Sequence, residues 1–458
     1  MNISKIIKQN LCYDSRKLKK NEIFFDFLTN SKVINPYFKD IIKKKPKLIV
    51  SSRSLNYDKT LVRKDIKKFY SYLIQKKYKK IPKKIFAVTG TNGKTSVANF
   101  FYQLHILNKI PCASIGTLGF FYNKKIIKND LTTPDNLKIF NFLRNIKKKK
   151  INKVIIEASS HGLNQGRLIG LKFKGAVFTN FSQDHLDYHR SMSSYFKSKL
   201  ILFKKNLHIN SSIICFNDLA LKLRKNKITD KKYNFILQSK KNIKLKIVSF
   251  KSKNSKTMLK INYKNKIYIV NINLIGGFQI KNLYQSIILS IISGLNIRKI
   301  LKVLPKIKPI KGRLNILKNK NKIICIDYAH TPDGLEKVIN TLKNHFERKI
   351  NIVFGCGGNR DANKRSSMGK VANKLCNKII VTDDNPRDED PKIITKHITN
   401  YIKKFRIIHN RKFAIKEAIK NTDKKEILLI AGKGHENYQI FKNKKIFFSD
   451  FNEVRKNL

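Results

Sequence analysis

A chain of 458 residues is longer than one hydrophobic core usually organises, and at roughly 150 residues per domain it predicts about three modules. With 41% of its residues apolar each module can bury a core, which excludes an extended disordered chain. The formal charge of +70, from 99 Lys and Arg against 29 Asp and Glu, ordinarily points to nucleic acid; here Lys recurs through every segment together with Asn and Ile, all with A/T-rich codons, so compositional drift on solvated faces accounts for it without a polyanion partner.

Six Cys, at 12, 112, 215, 325, 356 and 376, form no CxxC pair, so reduced thiols are expected. The opening MNISKIIKQN has no uninterrupted apolar core, and the longest apolar stretches, such as 284–295, fall short of the roughly 20 residues that span a bilayer. The expectation is a cytoplasmic monomer with no nucleic-acid partner and no stable membrane insertion.

Residues 1–81 are Lys-rich, with the apolar runs EIFFDFL and KLIV reading as strands between polar turns. From Lys84 the pattern becomes strand, glycine loop, helix: KIFAV, then TGTNGKTS, then VANFFYQLHIL with helical spacing. The runs VIIEA, GAVFTNF and SIICF alternate with helical segments such as YFKSKLILF, which predicts a mostly parallel sheet flanked by helices. Hairpins over 244–274 and a helix from Ile280 to about Gly294 complete a module reaching to 312. After PIKGRLNIL the alternation restarts, with strands in IICIDYAH, INIVFGCGG, KIIVTDDNP and EILLIAGKG. Ligands of such sheets bind beyond the carboxyl ends of the strands, so the residues after these runs are candidates for a second site.

Gly90, Thr91, Asn92, Gly93, Lys94, Thr95 and Ser96 lie between a predicted strand and a predicted helix, where backbone amides and the helix dipole hold phosphate. Lys94 can neutralise terminal phosphates, and the Thr95 hydroxyl can face Mg2+. A cation bound to ATP prefers oxygen ligands, and Glu157 at the end of VIIEA supplies a carboxylate. In TNFSQDHLDYH, Asp184, His185, Asp187 and His189 crowd one short loop; such density beside a nucleotide loop suggests metal or phosphate chemistry, although a structural role suits His189 equally.

Taken together, DSRKLKKNEIFF, GTNGKTS, TTPDNL, EASSHGLNQGR, TNFSQDHLDYH, DYAHTPDGLEK, GCGGNRDANKR, TDDNPR and AGKGHENYQ follow the order of motifs in the Mur ligase family, which this chain resembles over most of its length. The resemblance is to the branch that adds the third residue of the peptidoglycan stem peptide. It implies an α/β protein of three domains: a small mixed α/β UDP-binding domain (1–81), a central P-loop ATPase-like ligase domain with a mainly parallel sheet (82–312), and a C-terminal Rossmann-like domain holding the amino acid (313–458). It also implies ATP and Mg2+ as cofactors, and a UDP-N-acetylmuramoyl dipeptide and meso-diaminopimelate as substrates.

Carried over by position, Ser15 resembles a UDP contact, and Thr132, Thr133, Ser159, Gln165 and Arg167 resemble contacts to the muramoyl substrate. Thr95, Glu157 and His185 resemble Mg2+ ligands. Lys199, one lysine among many, is singled out only by its fixed position after HLDYH, where it resembles the family's carbamylated lysine (N6-carboxylysine), itself a metal ligand. With Lys94, the residues Glu157, His185 and Lys199 form the expected catalytic set. Asn282, Arg313 and Asp327 resemble contacts to ATP. Arg360, Asp384, Asn385, Pro386, Arg387, Gly432 and Glu436 resemble the diaminopimelate site. The alternatives are an L-lysine-adding homologue, a ligase like folylpolyglutamate synthetase, a nucleic-acid-stimulated ATPase favoured by charge alone, and a non-catalytic scaffold.

Overall fold

The computed structural model describes residues 3–30, 32–237, 245–253, 256–319 and 322–458. Among the described residues three larger sheets follow one another along the chain, accompanied by a three-stranded and a two-stranded antiparallel sheet. The first is four-stranded and wholly parallel, in the order Leu11–Cys12, Ile23–Phe25, Leu48–Ser51, Thr60–Val62. The runs EIFFDFL and KLIV are strands here as expected. Parallel neighbours need crossovers rather than turns, however, and the segments between strands include the 3-10 turn Ser15–Lys17 and the helix Phe38–Lys43.

The central sheet has eight strands, ordered Asn234–Leu237, Leu207–Cys215, Phe173–Phe178, Lys84–Thr89, Lys153–Glu157, Cys112–Gly116, Gly119–Tyr122, Lys125–Ile127. The first six are parallel and the last two extend the sheet antiparallel. Strand Lys84–Thr89 is buried on both faces because helices cover both. Its side chains alternate: Ile85 and Ala87 enter one core with Val154, Ile156 and Ala176, while Phe86 and Val88 enter the other with Ile155 and Val177. The first of these cores also takes in Phe25, Val50 and Tyr70, so the N-terminal sheet packs on that face.

Hairpins are found where expected, as a three-stranded antiparallel sheet of Leu245–Lys253, Lys256–Tyr263 and Lys266–Ile272. The helix after it runs Gly277–Ile292, starting three residues before the expected Ile280, because Gly276 at φ 86 turns the chain and its carbonyl accepts from Gln279 and Ile280. That helix lies against Lys94–Leu107, with the Ser286 hydroxyl donating to the Val97 carbonyl at 2.9 Å.

The last sheet has the order Asn315–Asn319, Lys322–Asp327, Glu426–Ala431, Lys349–Phe354, Ile379–Val381, Arg406–Ile407, parallel except for its first pair. Ile352, Phe354 and Leu429 face one core, and Val353, Leu428 and Ile430 the other. All six cysteines are free. Among the described residues no helix is long and apolar enough to cross a membrane.

Candidate functional site

The carboxyl ends of the central strands converge on the glycine loop. Strand Lys84–Thr89 ends at Gly90, the chain turns through Gly93 in the left-handed region at φ 85, and the helix starts at Lys94. Two close approaches enforce glycine. A Cβ at Gly90 would stand 1.9 Å from the Thr179 hydroxyl, and one at Gly93 would stand 2.6 Å from the Asn282 amide oxygen. Asn282 is thereby placed against the loop from the helix Gly277–Ile292. Thr91 and Ser96 are buried, and the Asn92 amide side chain reaches Thr331 (3.3 Å) and Asp333 (3.2 Å) of the C-terminal module.

The Lys94 ammonium folds over the loop, donating to the carbonyls of Gly90 (2.9 Å) and Thr91 (2.7 Å). Glu157 is buried at the end of the adjacent strand. It accepts from Thr95 Oγ1 (2.9 Å), Thr117 Oγ1 (3.1 Å) and the Thr117 backbone N–H (2.9 Å). Burial raises its carboxyl above the usual value, opposed by those hydrogen bonds and by Lys94. Thr117 Oγ1 also lies 3.1 Å from Thr132 Oγ1, so a row of hydroxyls runs from the phosphate loop into the TTPDNL segment. Thr133 donates to the Glu157 carbonyl (2.6 Å) and sits 2.9 Å from the Ser159 hydroxyl; Arg167 donates to the Thr133 carbonyl (2.8 Å) and bonds Gln165. The predicted muramoyl contacts therefore form one cluster. Ser15 stands apart from it, in the turn Ser15–Lys17, its carbonyl accepting from Lys44 Nζ at 2.7 Å.

Lys199 is 1% exposed, donates to the Gly90 carbonyl at 2.9 Å, and lies over the Tyr195 ring. Burial, with the Lys94 charge adding to it, pushes its amine well below the ordinary lysine range. His185, in the left-handed region at φ 57, turns toward Asp184 at 3.3 Å. Asp184 also faces His330 (3.7 Å) and Lys364 (3.6 Å). Its burial works against ionisation, and the neighbouring His185, His330 and Lys364 outweigh that, holding the carboxyl well below its usual range. Sequence reasoning placed Asp184 in the crowded loop but missed His330 and Lys364, which come from the C-terminal module and close on it.

Among the described residues no group of three His, Cys, Asp or Glu gathers that could hold a metal by itself. The oxygen set Thr95, Thr117 and Glu157 fits Mg2+ in another way, since this ion takes one or two carboxylates and completes its shell with water and phosphate. His185 is engaged with Asp184, and Lys199 with a loop carbonyl, rather than with Glu157.

Arg313 stacks on Tyr328, its guanidinium carbon 4.4 Å from the ring centroid, and Asp327 accepts from the backbone of Leu314 (2.6 Å) and Ala329 (2.7 Å). Both lie where the middle module joins the last sheet.

The second site forms beyond the strands Ile379–Val381 and Glu426–Ala431. Arg387, at φ 55, donates through Nη1 to the carbonyls of Gly358 (2.8 Å) and Asn385 (3.3 Å), and its backbone pairs with Ile440. Pro386 lies against Gly358, and Gly432 against the Asp384 carboxylate. Burial, then the nearby Arg360, lower the Arg387 pKa, with Asp384 and Glu436 opposing. Arg360 itself reaches Asp187 at 3.8 Å. The residue missed by sequence reading is Lys433. It is fully buried, donates to Asn385 Oδ1 (3.1 Å) and Glu436 Oε2 (3.3 Å), and lies 3.7 Å from Asp384. Only its place inside AGKGHE could have flagged it. A cleft of about 430 Å³ in the N-terminal module, lined by Phe27, Thr29, Ser52, Arg53 and Lys64, was also not anticipated.

Residues 88–290 match the Mur ligase middle domain, and residues 312–434 match the Mur ligase glutamate ligase domain. A UDP-N-acetylmuramoyl-L-alanyl-D-glutamate–2,6-diaminopimelate ligase of Rickettsia montanensis is 38% identical over 470 residues, covering 99% of this chain and 98% of that relative. The same-named protein of Wigglesworthia glossinidia brevipalpis is 36% identical over 98% of this chain and 94% of its own length. A solved structure of a ligase of that name superposes with a TM-score of 0.67 at 29% identity, covering 98% of this chain and 94% of that one. By identity, coverage and the match of both domains, the chain belongs to the Mur ligase family.

Proposed function

We propose that this Mur ligase adds meso-diaminopimelate to UDP-N-acetylmuramoyl-L-alanyl-D-glutamate at the expense of ATP, in peptidoglycan synthesis. The observation that carries the reading is the pairing of two sites at facing strand ends: the Gly90–Lys94–Glu157 phosphate loop, and a pocket edged by two cations, Arg360 and Arg387, and two carboxylates, Asp384 and Glu436. The reading takes residues 1–81 as the UDP-binding domain, 82–312 as the ATP-binding ligase domain, and 313–458 as the amino-acid domain.

In this reading the substrate's carboxylate attacks the terminal phosphate of ATP, giving an acyl phosphate and ADP; the amine then displaces phosphate through a tetrahedral intermediate. No covalent enzyme nucleophile is needed. Lys94 moves from the loop carbonyls to the terminal phosphates and offsets their charge. Thr95 and Glu157, with Lys199 as a carbamate and His185, would hold Mg2+, which supplies charge neutralisation on the phosphates. Thr132, Thr133, Ser159, Gln165 and Arg167 orient the muramoyl peptide, with Ser15 and the N-terminal cleft toward the UDP end. Asn282, Arg313 and Asp327 take the nucleoside side.

The distal end of meso-diaminopimelate carries both an ammonium and a carboxylate. Asp384 and Glu436 suit the first, and Arg387 with Arg360 suits the second. Lysine lacks that carboxylate. The test is mass spectrometry of the nucleotide product after incubation with the UDP-muramoyl dipeptide, ATP, Mg2+ and meso-diaminopimelate: the reading expects the tripeptide, ADP and phosphate in equal amounts, and phosphate release without tripeptide would contradict it.

A further inference from the structure

Although Lys is spread along the whole chain, the acidic residues are not: between Asp230 and Asp327 there is no Asp or Glu. This stretch contains the three-stranded antiparallel sheet Leu245–Lys253, Lys256–Tyr263, Lys266–Ile272. One face of the sheet is core, with Leu245, Leu259, Ile261 and Ile272 packed beside the helix Gly277–Ile292. The strand register puts Lys251 opposite Met258, Lys260 opposite Ile269, and Lys246 and Ile267 on either side of Asn262, all on the other face. There the apolar side chains are open to solvent: Ile269 is 64% exposed, Ile267 49% and Met258 41%. Among the described residues, none of Lys246, Lys251 and Lys260 enters an ion pair.

We propose that this outer sheet face docks on the surface of an anionic phospholipid bilayer, with Met258, Ile267 and Ile269 entering the headgroup–acyl boundary and Lys246, Lys251 and Lys260 meeting lipid phosphates. A half-buried antiparallel sheet normally alternates apolar-in and polar-out, and this one breaks the rule on its solvent side with unbranched and β-branched aliphatics interleaved with ammonium groups. A bilayer supplies both halves of the match, an apolar sink and fixed negative charge. RNA or DNA supplies only the second: the register of this face presents no Arg for bidentate contact and no aromatic ring on which a base could stack. The contact is peripheral and salt-sensitive, since it rests on charges within a Debye length of the surface rather than on a spanning helix.

The test is co-sedimentation of the purified full chain with vesicles of phosphatidylcholine alone, or of equal parts phosphatidylcholine and phosphatidylglycerol. It is run at low and high salt and in the presence or absence of a short single-stranded RNA. Two face variants are compared, K246Q/K251Q/K260Q and M258S/I267S/I269S, with a charge-matched control on the C-terminal module, K403Q/K404Q/K412Q. The expected result is binding to the phosphatidylglycerol vesicles only, weakened by salt, reduced by about tenfold or more in each face variant and retained in the control, with ATP-dependent phosphate release from the ligase unchanged in all three. Should the serine variant lose that activity through misfolding, the glutamine variant carries the comparison. Equal loss in the control would reduce the effect to overall charge and overturn the proposal. So would binding that survives in a folded face variant, or RNA that binds through the same lysines and displaces the vesicles.

Discussion

The ammonium groups of Lys94 and Lys199 meet on a single acceptor, the carbonyl of Gly90, each at 2.9 Å. Two cations sharing one carbonyl repel, and burial together with the Lys94 charge holds the Lys199 amine well below the ordinary lysine range. A neutral buried amine is the form that takes up carbon dioxide, and a carbamate there would replace a repulsion with an attraction. Lys199→Ala is therefore expected to lose at least about a hundredfold in ligase turnover and to recover part of it with a small added carboxylate. Mass spectrometry under non-acidic conditions that finds a plain amine in fully active enzyme would rule the carbamate out.

Lys94→Ala is expected to fold, because the loop it caps is held independently by Thr179 and Asn180, which bond Asn92, and to lose about a thousandfold or more in phosphate release. Retention of most activity in a variant with an unchanged melting curve would remove Lys94 from the chemistry.

Lys433 carries no exposed surface and ties Asn385 to Glu436. Its removal leaves Glu436 and Asp384 as neighbouring carboxylates without their shared cation, so Lys433→Met is expected to raise the KM for meso-diaminopimelate by about tenfold or more while the KM for ATP stays within about twofold. Equal changes in both constants would indicate a structural defect rather than a role in the amino-acid pocket.

His105 offers a pH-dependent check on the central core. Its Nδ1 lies 2.7 Å from the Phe101 carbonyl, which can only accept, so the neutral ring carries its proton there; burial drops the pKa to about 4 from 6.5. The folded state therefore resists a proton that the unfolded chain takes up below pH about 6.5, and stability falls as pH drops from there toward 4. The loss is about 2 kcal/mol by pH 5. Calorimetry of His105→Leu should show a smaller fall in melting temperature between pH 7 and pH 5 than the parent chain. An identical fall in both would contradict the assignment.

How much of this was legible in the sequence depends on where the information lay. The phosphate loop was readable because strand, glycines, Lys94 and Thr95 are adjacent in the chain, and Glu157 because it closes an apolar run. The four C-terminal strands were readable because each is buried on both faces and appears as a continuous apolar run. The parallel order of the N-terminal sheet was not, since strands as short as Leu11–Cys12 and Thr60–Val62 offer no periodicity. Nor were Lys364, His330 and Lys433. His330 and Lys364 meet Asp184 from a distant segment, and Lys433 meets Asp384 as well as the nearby Glu436; in so lysine-rich a chain neither lysine stands out by type.

The most direct test of the central claim is kcat/KM for meso-diaminopimelate against L-lysine, measured by phosphate release with the UDP-muramoyl dipeptide and saturating ATP. Arg387, anchored on the Gly358 and Asn385 carbonyls, lies beside Arg360, and in the proposed site lysine would leave that pair without a carboxylate and bring an ammonium near it. A preference for meso-diaminopimelate on the order of 10⁴ is expected, collapsing in Arg387→Ala with little change in the KM for ATP. Equal efficiency with the two amines, or an unchanged diaminopimelate constant in Arg387→Ala, would contradict the account.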